Sequence, residues 1–351
     1  MFGFYRTILA ISVMAFHLLG IPVIGTYAVF SFFVLSGFLM TTIMHETYGY
    51  DLQGIKRYAA NRFFRLYPMY WAAALFSIAV ILIASSAYAY AYKDTMQIPH
   101  RISSIVFNLT MIFPARFPYT VDPRLSPPTW ALTVEIFFYI CIGLGLSRTR
   151  NRTFGWLGAS LVYLAWSYID GQGESYRYAN IPAASLPFAL GALLYFVKGD
   201  VQRRLGVGTA ISPAAVLGAL ASNAALFAVY SMRHKVNSSP FVVDTGKYLN
   251  LVLSAVAVVV LFHRGHEFCS KAVDKWFGDF SYPIYLSHWQ AGLMASYFLF
   301  PKPTFGMNKP GAQVFLLALL IVFAWSYASI ALIDRRVNQI RNKIRPKVPR
   351  T

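Results

Sequence analysis

Acidic residues are scarce in this chain. Asp and Glu number 13 against 31 Lys and Arg, and all charged residues together make up 13% of the 351 positions. A domain wetted on every side needs roughly twice that share, so a soluble globular architecture is excluded. Cysteine is nearly absent. Cys141 and Cys269 fall on an expected helix and an expected inner loop, which excludes a disulfide framework. Low-complexity tracts and a convincing internal repeat are missing. No cleavable signal peptide is expected, because the first apolar run outlasts a usual h-region and lacks a small-residue cleavage site. The basic excess gives a net charge of +18, but nucleic-acid binding needs a concentrated basic face or a binding motif. Here the basic residues are dispersed between apolar runs, so no nucleic-acid partner is expected.

What the chain does hold is apolar. Hydrophobic residues make up 57%, aromatics 17%, and the mean hydropathy is +0.50, a composition suited to crossing membranes and anchoring at their interfaces. Apolar runs near 4–22, 28–44, 66–90, 129–146, 153–169, 181–197, 211–231, 246–263, 281–299 and 312–333 predict about ten spans. The expected fold is all-α, a polytopic transmembrane helical bundle in one domain over 1–351 with no appended soluble domain. Orientation follows from the basic loops. With the N-terminus inside, the inner segments hold Lys56, Arg57, Arg62, Arg65, Arg148, Arg150, Arg152, Lys198, Arg203, Arg204, Arg264, Lys271 and Lys275. The tail adds Arg335, Arg336, Arg341, Lys343, Arg345, Lys347 and Arg350. The outer segments hold fewer, among them Lys93, Arg124, Arg177 and Lys235. Both termini are therefore expected on the cytoplasmic side. The outer segment 91–128 carries Pro99, Pro114, Pro118, Pro123, Pro127 and Pro128, which forbids one continuous helix and suits a roof over an outward-facing site.

Against this background the few polar residues inside the spans stand out. Arg6 and His17 share the first run. Eleven residues at about 100° each return to within roughly 20° of the start, so both lie on one helix face, about 16 Å apart. Ionisable groups in a span usually face a bundle interior or a wet cavity, and the pair predicts a polar track leading inward from one membrane surface. Snorkelling of Arg6 and ordinary helix packing of His17 is the plainer account.

In Asn61-Arg62-Phe63-Phe64-Arg65-Leu66-Tyr67-Pro68-Met69-Tyr70-Trp71 the two arginines share a face. Forked guanidinium groups suit phosphate, and with Arg6 they would form a cytoplasmic site for a phosphorylated donor. A positive-inside anchor with an aromatic belt also explains this stretch.

Glu135 lies just inside the helix that starts after Pro128. It is expected to orient His17 and make it more basic, with pairing to Arg124 or Arg6, or a plain interhelical hydrogen bond, as alternatives. Ser281, Tyr285 and His288 form a polar stripe at helical spacing, suited to an acceptor path or to interhelical bonds. Trp130 and Tyr139 join them as substrate-path candidates. Ser36 is not expected to be a nucleophile, since it sits in no G-x-S-x-G elbow. His263, His266 and Cys269 have a ligand-like spacing but read better as a solvated inner loop, and no metal is expected.

In order, these stretches resemble the acyltransferase 3 family of integral membrane proteins. The carriers of the resemblance are Arg6-x10-His17, Phe32 to Phe38 (F-x-V-L-S-G-F), Arg62 to Trp71, Trp130 to Tyr139 (W-x-L-x-x-E-x-x-F-Y) and Ser281 to His288 (S-Y-x-I-Y-L-x-H). The chain departs from it at Gly3 and Thr7, where many members have Asp and Gly. It also departs at Asp334-Arg335-Arg336, which lacks the usual Pro.

The resemblance implies an O-acyltransferase of the bacterial inner membrane. Acetyl-CoA or a similar acyl-CoA would be co-substrate, its phosphates on Arg6, Arg62 and Arg65. The acceptor would be a sugar hydroxyl of a surface or secreted polysaccharide or of its lipid-linked precursor. His17 would be general base or acyl carrier, oriented by Glu135. The rival class is a transporter or flippase of a glycan precursor. A soluble-type H-x-x-x-x-D acyltransferase is excluded, because no His has Asp at that spacing.

Overall fold

Inside a bilayer a backbone must satisfy its own hydrogen bonds, and the long runs free of charge leave helix as the local solution. A computed structural model describes residues 2–204, 211–234 and 240–346; Lys235, Lys347 and Arg350 lie outside the described residues. Among those residues there is no strand. In chain order the helices are α1 (Gly3–Leu19), α2 (Ile24–Ile43), α3 (Leu52–Ala84), α4 (Ser86–Tyr92), α5 (Ile102–Thr110), α6 (Thr129–Gly143) and α7 (Arg150–Ile169). There follow α8 (Glu174–Tyr178), α9 (Ile181–Arg204), α10 (Pro213–His234), α11 (Pro240–Phe268), α12 (Lys271–Leu299), α13 (Lys309–Ser329) and α14 (Arg335–Ile344). Single π-helical turns extend α2 over Met44–Tyr48 and join α13 to α14 over Ile330–Asp334.

Each of the ten expected runs falls on a helix. Among the described residues six segments are long and apolar enough, by length and composition, to cross a membrane, while Gly3–Leu19 and Thr129–Gly143 are apolar but shorter. The run expected over 66–90 differs most. Its helix begins at Leu52, where Asp51 caps it through a hydrogen bond from the Gly54 amide, and it breaks at Ser85, whose φ is 76°.

Helices α1 and α12 pack closely, and the two run parallel. At their first turns, Asp274 Oδ1 accepts from the amides of Gly3 and Phe4 at 2.9 and 3.1 Å, supplying the N-terminal cap that α1 lacks in its own sequence. Thr7 Oγ1 donates to Phe277 O at 2.6 Å. Two glycines permit this approach. A Cβ on Gly3 would drive into the Asp274 carbonyl, and one on Gly278 would lie 2.7 Å from Gly3 Cα and 2.9 Å from Arg6 Nη2. Helices α2 and α9 also run parallel, from Phe33 stacked on Phe188, through the close approach of Gly37 and Gly191, to His45 of the following π-helical turn stacked on Tyr195.

The outer segment folds inward. Amphipathic α5 turns Ser104 and Asn108 into the protein and leaves Ile102, Ile105, Val106 and Leu109 exposed. Its last carbonyls, which no helix can satisfy internally, accept from α3: Tyr70 Oη on Asn108 O at 2.5 Å, Trp71 Nε1 on Leu109 O at 2.9 Å and Tyr67 Oη on Thr110 O at 2.7 Å. These aromatics of α3 therefore close the C-terminal end of α5. The rest of the segment is tied onto α12: Ser126 Oγ donates to Leu286 O, Gln290 Nε2 to Leu125 O and Tyr285 Oη to Pro128 O.

Replacing Gly278 by Val should wedge α1 from α12 and crowd Arg6. The cost is on the order of 1–3 kcal/mol or more, read as a lowered melting midpoint of the detergent-purified protein; a midpoint equal to wild type would contradict the close approach.

Candidate active site

Two helices carry three arginines to one open cavity with about 850 Å³ of empty space. Arg6 comes from α1 and Arg62 and Arg65 from successive turns of α3, as their spacing anticipates. Arg65 Nη1 lies 3.4 Å from Asp334 Oδ1, and its guanidinium stands 5.9 Å over the Tyr282 ring. Arg62 is thinly served: Nη2 donates to Asn61 Oδ1 at 2.7 Å, Nη1 meets only the Met40 sulfur at 3.7 Å, and Nε is buried with no partner. Arg6 Nε is buried and unpartnered too. A buried donor left unpaired costs about 1–3 kcal/mol, more when charged. These arginines form a cationic lining with donors to spare, suited to an oxyanion ligand.

Glu135 lies on the wall of the same cavity, but it does not orient His17. Its Oε1 accepts from Ser36 Oγ at 2.6 Å and from Tyr139 Oη at 2.5 Å. The Ser36 of the small Ser-Gly step thus holds a carboxylate, and Tyr139, one turn along α6, closes the set. The expected Glu135–His17 pair is corrected, because helix α6 delivers Glu135 to the inner cavity while the partner of His17 comes from α12. Nor does Glu135 meet Arg124, whose guanidinium is spent on Val121 O, Pro127 O and Asp122 in the outer segment.

That partner is His288. His17 Nδ1 lies 2.8 Å from His288 Nε2, with ring centroids 5.0 Å apart and ring planes 5° from parallel. The surroundings settle which nitrogen carries which proton. His288 Nδ1 faces two carbonyls, Tyr285 O at 2.9 Å and Ile284 O at 3.3 Å. Carbonyls only accept, so Nδ1 must bear hydrogen. In neutral His288 the Nε2 lone pair then accepts from His17 Nδ1–H, which leaves the lone pair of neutral His17 on Nε2. His288 is wholly buried and His17 half-buried. Trp289 packs 5.2 Å from the His17 ring, and Lys93, itself 2.9 Å from Asp94, stands 5.7 Å over Trp289. The Lys93 hydrogen bond holds the Asp94 carboxyl below its usual range.

The single polar track expected from Arg6 to His17 is therefore corrected to two tiers. His17 is not among the residues lining the arginine cavity. Between them stands Tyr285, which lines the cavity, packs 6.0 Å from Phe32 and lies 6.4 Å from the His288 ring. Ser281 lines the cavity, with its hydroxyl turned back onto Gly278 O. Trp130 lies apart, its ring against Tyr119 and Tyr178 on the outer side. Among the described residues no three His, Cys, Asp or Glu gather as metal ligands, and Cys269 Sγ sits 4.0 Å from Asp274 Oδ1. Sequence reasoning placed His288 on a path and missed it as the partner of His17. The available signal was a histidine ending a stripe on a helix that shares α1's direction.

Comparison with known proteins adds three findings. Residues 4–333 match the profile of the acyltransferase 3 family, described as an acyltransferase domain. A protein of Komagataeibacter xylinus, BcsY, which bears the provisional name of membrane-bound transacylase, is 29% identical over 180 residues. That match spans 49% of this chain and 42% of the relative, so the chain covers less than half of it. No solved structure matches.

The proton assignment is open to chemical test. Diethylpyrocarbonate attacks unprotonated imidazole nitrogen, so peptide mass spectrometry of the treated protein should find His17 modified and His288 spared. The reverse labelling pattern would overturn the assignment.

Proposed function

The chain belongs to the acyltransferase 3 family, and from that premise we propose that it is a multi-pass membrane acyltransferase moving an acetyl group from cytoplasmic acetyl-CoA to a sugar hydroxyl. The acceptor is a surface or secreted polysaccharide, or its lipid-linked precursor, at the bacterial inner membrane. The observation that carries this reading is the His17–His288 pair, which keeps a lone pair on His17 Nε2 one aromatic layer beyond a cavity rich in unsatisfied guanidinium groups.

In this reading Arg6, Arg62 and Arg65 bind the phosphates of the donor, and the thioester end extends past Phe32 and Tyr285. His17 Nε2 takes the proton of the sugar hydroxyl as its oxygen attacks the thioester carbonyl. The C–S bond breaks, and the proton passes to the departing thiolate. While His17 is protonated, His288 accepts its Nδ1–H and its own Nδ1–H stays on Tyr285 O, so the pair holds one extra proton without moving. An acyl group carried briefly on the same nitrogen uses the same lone pair. Glu135, fixed by Ser36 and Tyr139, lends negative charge to the arginine cavity and shapes its wall. Trp289, Lys93 and Asp94 give the outer mouth an aromatic face and two charged groups, a combination suited to a sugar.

Ten spans with both termini inside fit this arrangement. In that topology α1 and α12 both rise from the cytoplasm and α2 and α9 both descend, in keeping with the parallel packing of each pair.

The test is transfer of radiolabelled acetyl from CoA in proteoliposomes. His17→Ala should lower transfer on the order of 10²–10⁴-fold while CoA still binds, and transfer at the wild-type rate would defeat the assignment. An Arg62→Ala, Arg65→Ala double variant should raise the KM for acetyl-CoA by at least about tenfold through loss of charge-assisted bonds; an unchanged KM would remove the donor site.

A further inference from the structure

We propose that the C-terminal helix is part of the donor site: Asp334, Asn338 and Arg341 position the Arg62–Arg65 pair and add a further guanidinium to its charge. The inference rests on the donor reading above and assigns to it residues from the far end of the chain.

The observation is a continuous run of hydrogen bonds that begins and ends on the two arginines. Arg62 Nη2 donates to Asn61 Oδ1 at 2.7 Å, and the same oxygen receives Arg341 Nη2 at 3.5 Å. Arg341 Nη1 donates to Asn338 Oδ1 at 2.6 Å, Asn338 Nδ2 to Asp334 Oδ2 at 2.8 Å, and Arg65 Nη1 reaches Asp334 Oδ1 at 3.4 Å. Donors and acceptors match along the whole run. Asn61 is wholly buried, and Asp334 and Arg341 are nearly so, although α14 is otherwise polar. The π-helical turn Ile330–Asp334 ends on Asp334, and such turns re-aim side chains at functional sites. A polar surface helix has no need to bury an arginine beside two others.

The charge balance points the same way. Among the described residues, Asp334 is the one carboxylate within salt-bridge distance of Arg6, Arg62, Arg65 or Arg341, and Nε of Arg6, Arg62 and Arg341 is in each case buried without a partner. So concentrated a positive charge opposes its own burial unless an anion joins it. Guanidinium groups offered by both α1 and α3 suit a ligand with several phosphate groups, which is the chemistry of the CoA head. Asn338 and Arg341 act through Arg62 and Arg65, so their loss should be felt in donor binding and not in the chemical step at His17.

The experiment uses the full-length protein in detergent, CoA as the calorimetric probe and acetyl transfer as the kinetic readout. Asn338→Leu, which cuts the run without changing charge, should raise the Kd for CoA about fivefold, as the loss of one buried hydrogen bond implies. Arg341→Gln should raise it about tenfold as a charge-assisted contact is lost. In both, KM for acetyl-CoA should rise in step while kcat stays within about twofold of wild type, and Arg341→Lys should recover part of the affinity by restoring charge without the fork. Asn338→Ala replaces the Leu variant if the latter does not purify as a single species. If Asn338→Leu and Arg341→Gln bind CoA as wild type does while the Arg62→Ala, Arg65→Ala variant does not, the role of the C-terminal helix is overturned and the donor site stands. A fall in kcat at unchanged KM overturns it equally. If the wild-type protein binds no CoA, the donor reading fails first.

Discussion

The parallel contact between α1 and α12 is the constraint on which the rest of the structure depends. At one end Gly3 and Gly278 let two backbones touch, and Asp274 caps the first helix. At the other end the same alignment brings His17 against His288. Two helices held this closely at one end and running side by side leave little freedom in the register of the other. The imidazole pair is thus a consequence of a backbone contact more than fifteen ångströms away along the helix, at about 1.5 Å per residue. Arg6 stands next to the inner contact point, so the same geometry governs where its guanidinium reaches.

The second organising feature is the outer segment. A segment with six prolines cannot form one continuous helix, so the backbone groups that α5 and its turns leave over are satisfied elsewhere. Those of α5 end on the aromatic donors of α3, and those of the following turn end on α12 around Tyr285, Leu286 and Gln290. The loop thereby stiffens the part of α12 that carries His288, on the side of the protein away from the arginines. That segment and the imidazole pair are one mechanical unit.

Charge is sorted between the two tiers. The inner cavity gathers guanidinium groups with few counter-charges, and its one wall carboxylate, Glu135, is occupied by Ser36 and Tyr139. The outer tier is built around two imidazoles, which can exchange a proton without carrying a permanent charge. Such a division suits a reaction whose donor enters as a polyanion and whose chemistry is the transfer of one proton and one acyl group. Phe32 and Tyr285 stand between the tiers and keep the permanent charges from the imidazole pair.

Much of this was legible in the chain alone. Scarce charge and long apolar runs determine a helical membrane protein, because a backbone in lipid has no other way to satisfy itself. Arg6, Arg62 and Arg65 could be recognised as convergent, since polar groups are too costly in a span to be placed idly. Periodicity reports only which residues share a face of one helix, and here that limit shows. It does not report which helix lies opposite, in which direction it runs, or how far along it a partner stands. The partner of His17 was therefore decided by the α1–α12 contact and was not the carboxylate that composition suggested. Glu135 found Ser36, and Tyr67, Tyr70 and Trp71 found the end of α5. Asp334, Asn338 and Arg341 reached the arginines of α3 across almost the whole length of the chain. Hydrogen bonds between distant segments depend on tertiary alignment at the scale of one ångström, and no pattern within a single helix carries that information.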